Sequence, residues 1–370
     1  MSNDKQPISY SSTGVDYNVM DPLKKLAQTA GRQTSNNLSV FGIKEVTESR
    51  GESAYVWEEE DSYRAFVIEG LGTKNLAADQ VSKITGKTYY DSIAQDTVAA
   101  IVNDIITVGA IPQVVNAYFG SGGPEWFSDT IRSTALVKGW AKACNLAGAA
   151  WGGGETPGLS GIINPETLDL VGSCIGIIKP KNRLTLGDKL QAGDAILLIE
   201  SSGIHTNGLS LARTIAEKLP AGYQTKLSNG SMFGEALLMP THIYVRVVKD
   251  LFDSAVDVRY MVNITGHGFR KLMRANRDFT YLINQTPPVS PLFDFIKQQS
   301  GNDDSQMYGN FNMGAGFAIY IPADHMEKAQ AIITKNNLKS WNAGTIENGP
   351  KQVVLKPKDI TFTAETLGVR

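Results

Sequence analysis

Cysteine is almost absent from this chain, with two in 370 residues. Cys144 and Cys174 sit in the apolar stretches "KACNLAGAA" and "VGSCIGII". A pair so placed reads as buried free thiols in a reducing compartment rather than a disulfide framework or a metal site, with a single Cys144–Cys174 bridge as the alternative. Histidine is scarce too, at four, and no His/Cys cluster has zinc-ligand spacing. Long apolar runs are missing; nothing approaches the roughly 18–20 residues that span a bilayer. The opening "MSNDKQPISYSSTGVDYNVMDPLKK" has neither a basic n-region nor an apolar h-region, so no secretory signal is read and a cytoplasmic protein is expected. Neither sign of charge dominates. Thirty-five Lys and Arg against 37 Asp and Glu leave a net charge of −2, which provides no field for nucleic acid or an acidic membrane. There is no fixed-period repeat and no low-complexity tract.

What the chain does have is glycine, 36 residues, much of it clustered: "GLGTK", "GSGGP", "WGGGETPG", "SSGIHTNG", "TGHGF", "NMGAG". Clustering argues for functional loops rather than flexible linkers. The length suits about two domains. A helix is expected near 20–32 and a strand over 64–70. The clearest helix is 91–108, where Val98, Ile101, Val102, Ile105 and Val108 form one apolar stripe before the stop signals Gly109 and Pro112. A second long helix is read over 127–147. Strands at 169–178 and 194–200 flank a polar, basic stretch, and the domain boundary falls there, near 180. Beyond it, helices at 207–218, 233–252, 290–299 and 323–336 alternate with strands at 257–264, 279–284, 315–321 and 339–346, an α/β or α+β pattern. The most loop-like stretch is 299–310, "QSGNDDSQMYGN".

Several polar groups fall at the ends of these elements. "GLGTK" is neither a Walker A loop nor a dinucleotide fingerprint, and alone it reads equally as a turn. Glu69 ends the strand before it. Asp96 and Asn103 share one face of the 91–108 helix opposite the apolar stripe, with Asp104 roughly 80° round from Asp96. That face is either solvated or a pair of acids aimed at a cation. Glu155 follows three glycines. Carboxylates beside glycine loops suit Mg²⁺, whose shell is completed by water and nucleotide phosphate oxygens, and Lys74 can neutralise phosphate charge. "ESSGIHTNG" is a strand, a glycine turn and a helix start, which is an anion site or simply a capped helix. His205 is placed there as an exposed acid or base. "NITGHGF" repeats the design with His267.

Taken in order, "SYSSTGVD", "EGLGTK", "DSIAQDTVAAIVNDIITVGAIP", "GGGET", "SSGIHTNGLSLAR", "LLMPTHIYV", "NITGHGF", "MYGNFNMGAGFAI" and "WNAGTI" resemble the phosphoribosylformylglycinamidine cyclo-ligase (aminoimidazole ribonucleotide synthetase) family over residues 9 to 348. Its wider superfamily also holds selenophosphate synthetase, thiamine-monophosphate kinase, a hydrogenase-maturation factor and formylglycinamide ribonucleotide amidotransferase. The resemblance implies a two-domain α/β (α+β) fold. An arm over 1–50 would carry a glycine-containing segment, and 51–180 would be an ATP-binding and dimerisation domain whose mixed sheet forms a barrel across a homodimer. An α/β sandwich over 181–370 would bind the substrate and its phosphate. It further implies ATP and Mg²⁺ as cofactors and a small-molecule ribonucleotide as substrate. Glu69, Asp96, Asp104 and Glu155 would surround the metal. Gly70, Gly72, Thr73 and Lys74 would form the nucleotide loop, with Asn103 as a further cofactor contact. Thr206, Asn207, Thr265, Gly266 and His267 would face the substrate, and Asp104, His205 and Lys74 would carry the chemistry.

This sequence departs from the family pattern at two of those places and at a neighbouring one. Glu69 stands where the family has Asp, Asn263 where it has His before T-G-G-G, and His267 where it has the middle Gly. An Asn cannot act as a base at neutral pH. The functional expectation is ATP-dependent ring closure in purine biosynthesis. The alternatives are a paralogue that activates another small molecule and a non-catalytic nucleotide-binding relative.

Overall fold

The structure, a computed structural model, describes residues 17–367. The arm motif "SYSSTGVD" lies outside the described residues. Two sheets organise the rest. The first contains β1 (Lys44–Glu45), β2 (Tyr55–Glu58), β3 (Tyr63–Gly70), β4 (Ile111–Ser121), β5 (Ala150–Glu155) and β6 (Leu168–Ile178), in spatial order β1-β2-β3-β6-β4-β5. Only β4–β5 is parallel within it.

Alternation along β3 explains how this sheet packs. Ala65 and Val67 point to one face and are buried, while Phe66 and Ile68 point to the other and are 43% and 63% exposed. Phe66 lies opposite Ile175 of β6, which lies opposite Val114 of β4, so the bare face is apolar across three strands. The covered face packs on α3 (Tyr90–Ile105) and α5 (Thr130–Ala147). These two helices approach closely at Gly139, where a Cβ would stand 2.6 Å from Asp91 Cα. Other helices of this half are α1 (Tyr17–Arg32), α2 (Lys74–Thr85) and the short α4 (Pro124–Ser128). Cys144 and Cys174 are buried and unbridged, and burial raises their thiols to about 11 and about 12.

The second sheet contains β7 (Ala195–Glu200), β8 (Tyr260–Asn263), β9 (Phe279–Ile283), β10 (Ala315–Ile321), β11 (Ser340–Asn348), β12 (Gln352–Leu355) and β13 (Ile360–Thr363), in the order β13-β12-β9-β11-β7-β10-β8. Every residue of β8, β9 and β10 is buried, which is why these strands read as unbroken apolar runs. Its helices are α6 (Leu209–Lys218), α7 (Phe233–Leu237), α8 (Val245–Asp253), α9 (Pro291–Ser300), α10 (Asp304–Asn310) and α11 (Met326–Lys335). Among the described residues, no helix is long and apolar enough to cross a membrane.

Two expectations fail here for identifiable reasons. The single helix expected over 233–252 is two, α7 and α8, because Pro240 interrupts it and lacks the N–H a helix interior needs. The expected loop over 299–310 contains α10, started by a capping box in which Asp303 and Gln306 satisfy each other's backbone N–H.

Candidate functional site

Where the end of β3 meets the loops of the second sheet, the chain forms a half-open cavity of about 310 Å³. Glu69, Gly70 and Gly72 line it from the first half, with Asp104 from the last turn of α3. Gly72 has φ +74, a left-handed value that lets the chain turn sharply out of the strand. Thr206 and Asn207 come from the turn after β7, and Asn263, Thr265 and His267 from the end of β8.

Glu69 and Asp104 are the two predicted acids that the fold brings together. Burial, and then the adjacent Asp104 charge, push the Glu69 carboxyl up to about 8, against the pull of Lys271 and Arg274. Asp104 is held in place by the Asn263 side chain, whose Nδ2 donates to Asp104 Oδ1 at 2.7 Å. Asn263, which replaces the expected base, therefore serves as a hydrogen-bond donor.

The other two acids lie elsewhere. Asp96 pairs with Lys74 at 2.8 Å, and both side chains are fully buried. Lys74 Nζ also donates to the Met239 carbonyl at 3.0 Å, and Asp96 Oδ1 accepts from the Thr241 backbone N–H at 2.9 Å. Burial works against the charged form of each member. Asn103 is similarly committed: its Nδ2 donates to the His242 carbonyl at 2.8 Å, and its Oδ1 accepts from the Tyr244 N–H at 2.9 Å. Asp96 and Asn103 do share one helix face, as their spacing requires, but that face holds the 239–244 segment left irregular by Pro240. Glu155 is exposed at the end of β5, opposite Tyr118 of β4, and away from the cavity. The four-acid cluster expected from the sequence is thus reduced to two, and among the described residues no group of three or more His, Cys, Asp or Glu side chains could hold a metal ion.

His205 differs from its expected role as an exposed acid or base. It is 4% exposed, its Nε2 accepts from the Ser202 N–H at 3.2 Å, and burial keeps its pKa well below the ordinary histidine value. His267 does line the cavity, but burial followed by the Lys271 and Arg270 charges lowers it to about 3, so it is a neutral imidazole. Gly266 lies within the tight Thr265–Gly268 turn, closed by a 2.7 Å bond from the Gly268 N–H to the Thr265 carbonyl. Thr73 precedes α2 and makes no side-chain capping bond.

Four polar cavity residues escaped the sequence reading: Glu52, Ser53, Lys271 and Arg274. Arg274 donates through Nη1 to Ser53 Oγ and through Nη2 to the Gly51 carbonyl, both at 2.9 Å. The available signal was the basic pair in "GFRKLMR", three residues apart just after a glycine motif, which places both on one side of a helical turn.

Residues 51–178 match the family model described as AIR synthase related protein, N-terminal domain, and residues 191–356 its C-terminal domain counterpart. The chain is 34% identical over 328 residues to phosphoribosylformylglycinamidine cyclo-ligase of Methanothermobacter thermautotrophicus, covering 88% of this chain and 91% of that one. It is 31% identical over 360 residues to the protein of the same name in Paraburkholderia phymatum, covering 95% and 96%. Among solved structures, a HypE-HypF complex aligns with TM-score 0.60 at 17% identity, over 85% of this chain and 93% of that chain. T. maritima PurL complexed with FGAR aligns with TM-score 0.58 at 14% identity, over 91% and 50%. At such identities these two likenesses concern the fold alone.

Proposed function

The chain belongs to the phosphoribosylformylglycinamidine cyclo-ligase family, and from that premise we propose that it uses ATP to close formylglycinamidine ribonucleotide into aminoimidazole ribonucleotide in purine biosynthesis. The observation that carries this reading is the cavity between the two halves, where Glu69 and Asp104 face Lys271 and Arg274. Both signs of charge in one cavity suit a reaction that moves a phosphoryl group between anionic partners.

In this reading the ATP γ-phosphoryl passes to the amide oxygen of the substrate, which is otherwise a poor leaving group. ADP departs, the internal amine attacks the activated carbon, the ring closes, and the former amide oxygen leaves within inorganic phosphate. The protein's part is to position the two ligands and screen their charge. Asp104, fixed by Asn263, and Glu69 would hold Mg²⁺, which screens phosphate charge when bound. Two carboxylates fit this ion because phosphate oxygens and water complete its shell. Gly70 and Gly72 allow close backbone approach to the nucleotide, while Thr206, Asn207, Thr265 and His267 face the ribonucleotide. The half over 51–180 is then the nucleotide half, and 181–370 the substrate half.

The exposed apolar face of the first sheet, with Phe66 and Ile68, is the surface through which two copies would form a homodimer. Glu155 lies on that face beside Tyr118. The reaction belongs in the cytoplasm, with its ATP and purine precursors.

The test uses purified protein with ATP, Mg²⁺ and formylglycinamidine ribonucleotide. ADP and the aminoimidazole product should appear one for one. ADP release without ring product would favour activation of a different small molecule, and absence of nucleotide turnover would refute catalysis.

A further inference from the structure

Among the described residues two lysines are buried, and they are buried differently. Lys74 has the Asp96 carboxylate at 2.8 Å. Lys271 has none. It lies in the turn Gly268–Met273, which folds its side chain back under the end of β8. Its Nζ donates to Thr265 Oγ1 and, at 3.5 Å, to the Asn263 carbonyl, both neutral acceptors. Among the described residues no carboxylate stands within ion-pair distance of it, although the residue is only 7% exposed and lines the cavity. Asp104, Glu69 and Glu52 act on it from farther away, while burial and Arg274 oppose its charge.

A buried ammonium is costly unless paired, and it carries three donors, of which two are used here. The remaining donor, on an ammonium with no carboxylate in contact, is available to a ligand. Arg274, lining the same cavity, adds a second positive charge.

We propose that Lys271, and not the motif lysine Lys74, is the lysine that meets the ligand, its ammonium taking a phosphate oxygen in the cavity. Phosphate oxygens come from two sources, the nucleotide and the ribonucleotide substrate, and Lys271 binds their shared chemistry. The inference rests on the ring-closure reading only for the identity of those sources.

Calorimetric titrations of wild type, Lys271→Met and Lys271→Arg with inorganic phosphate, a non-hydrolysable ATP analogue and ribose 5-phosphate test it. Loss of the lysine charge should weaken the phosphate probe by about ten- to a hundredfold, the usual span for a charge-assisted hydrogen bond, and Arg should recover part of it. Which of the two organic probes suffers the same loss identifies the source. Folded Lys271→Met protein that binds every probe within twofold of wild type overturns the proposal. Should Lys271→Met not fold, wild type with ¹⁵N-labelled lysines decides: the Lys271 side-chain resonance, identified by its absence in Lys271→Arg, should move on addition of inorganic phosphate, and a resonance that stays fixed at saturation overturns the proposal. Wild type that makes no ring product yet binds phosphate through Lys271 sinks the reaction while leaving this inference standing.

Discussion

Lys74 Nζ stands 2.8 Å from Asp96 Oδ2, and neither side chain reaches solvent. The pair links α2 and α3 to the Met239 carbonyl and the Thr241 amide, so it fastens the two halves of the chain together beside the cavity. Removing one partner strands the other charge in a dry site. Lys74→Met or Asp96→Leu should therefore cost about 3–5 kcal/mol in urea unfolding, and the double variant should recover much of that. A Lys74→Met protein of unchanged stability that no longer turns over ATP would return Lys74 to the nucleotide loop.

Asp104 is the carboxylate best placed to act in the cavity. Asp104→Ala should abolish ATP turnover while leaving the fold intact by circular dichroism, and unchanged turnover would remove Asp104 from the site. Asn263→Ala removes the 2.7 Å bond that orients Asp104. Its kcat should fall about ten- to a hundredfold, with a smaller change in KM.

Burial holds His205, His242 and His267 below the ordinary histidine value of 6.5. Below that pH the unfolded chain takes up protons at these sites that the folded chain refuses. The stability they contribute is complete above 6.5 and is lost as pH falls. Glu69, with its carboxyl raised to about 8, acts in the opposite sense over the same window, so the informative quantity is a difference between proteins. Relative to wild type, His205→Asn should gain up to about 1.4 kcal/mol of stability per pH unit between 6.5 and about 5. Asn also tolerates the positive φ of 57° at this position. Parallel stability curves for the two proteins would mean that His205 charges without resistance.

The apolar sheet face predicts a dimer at micromolar concentration. Ile68→Glu, at a position 63% exposed in the single chain, should leave the fold intact and shift light scattering toward the monomer mass. A wild-type monomer, or a dimer indifferent to Ile68→Glu, would place the contact elsewhere.

Local pattern made much of the fold legible. The stripe of Val98, Ile101, Val102 and Ile105 requires a helix, and α3 runs Tyr90–Ile105 with all four buried. The apolar runs at 315–321 and 279–283 are strands, and a sheet covered on both faces buries every residue of each. The break between α7 and α8 carried its own signal in Pro240, and α10 carried one in the spacing of Asp303 and Gln306; both were overshadowed by their surroundings. In the site, Glu69, Asp104, Thr206, Asn207 and Thr265 all line one cavity, and all but Asp104 sit beside a glycine at the end of an element.

The sequence by itself determined which residues can be helix, strand or glycine turn and which family the motifs belong to, because those depend on neighbours a few positions apart. Only the tertiary structure decided which charges meet. Asp96 and Asp104 lie eight positions apart on one helix, yet the first is sealed against Lys74 and the second opens onto the cavity beside Asn263, 159 residues away in the chain. Whether a buried charge is paired or left for a ligand depends on what packs over it from distant segments, and helical or strand periodicity carries no information about that.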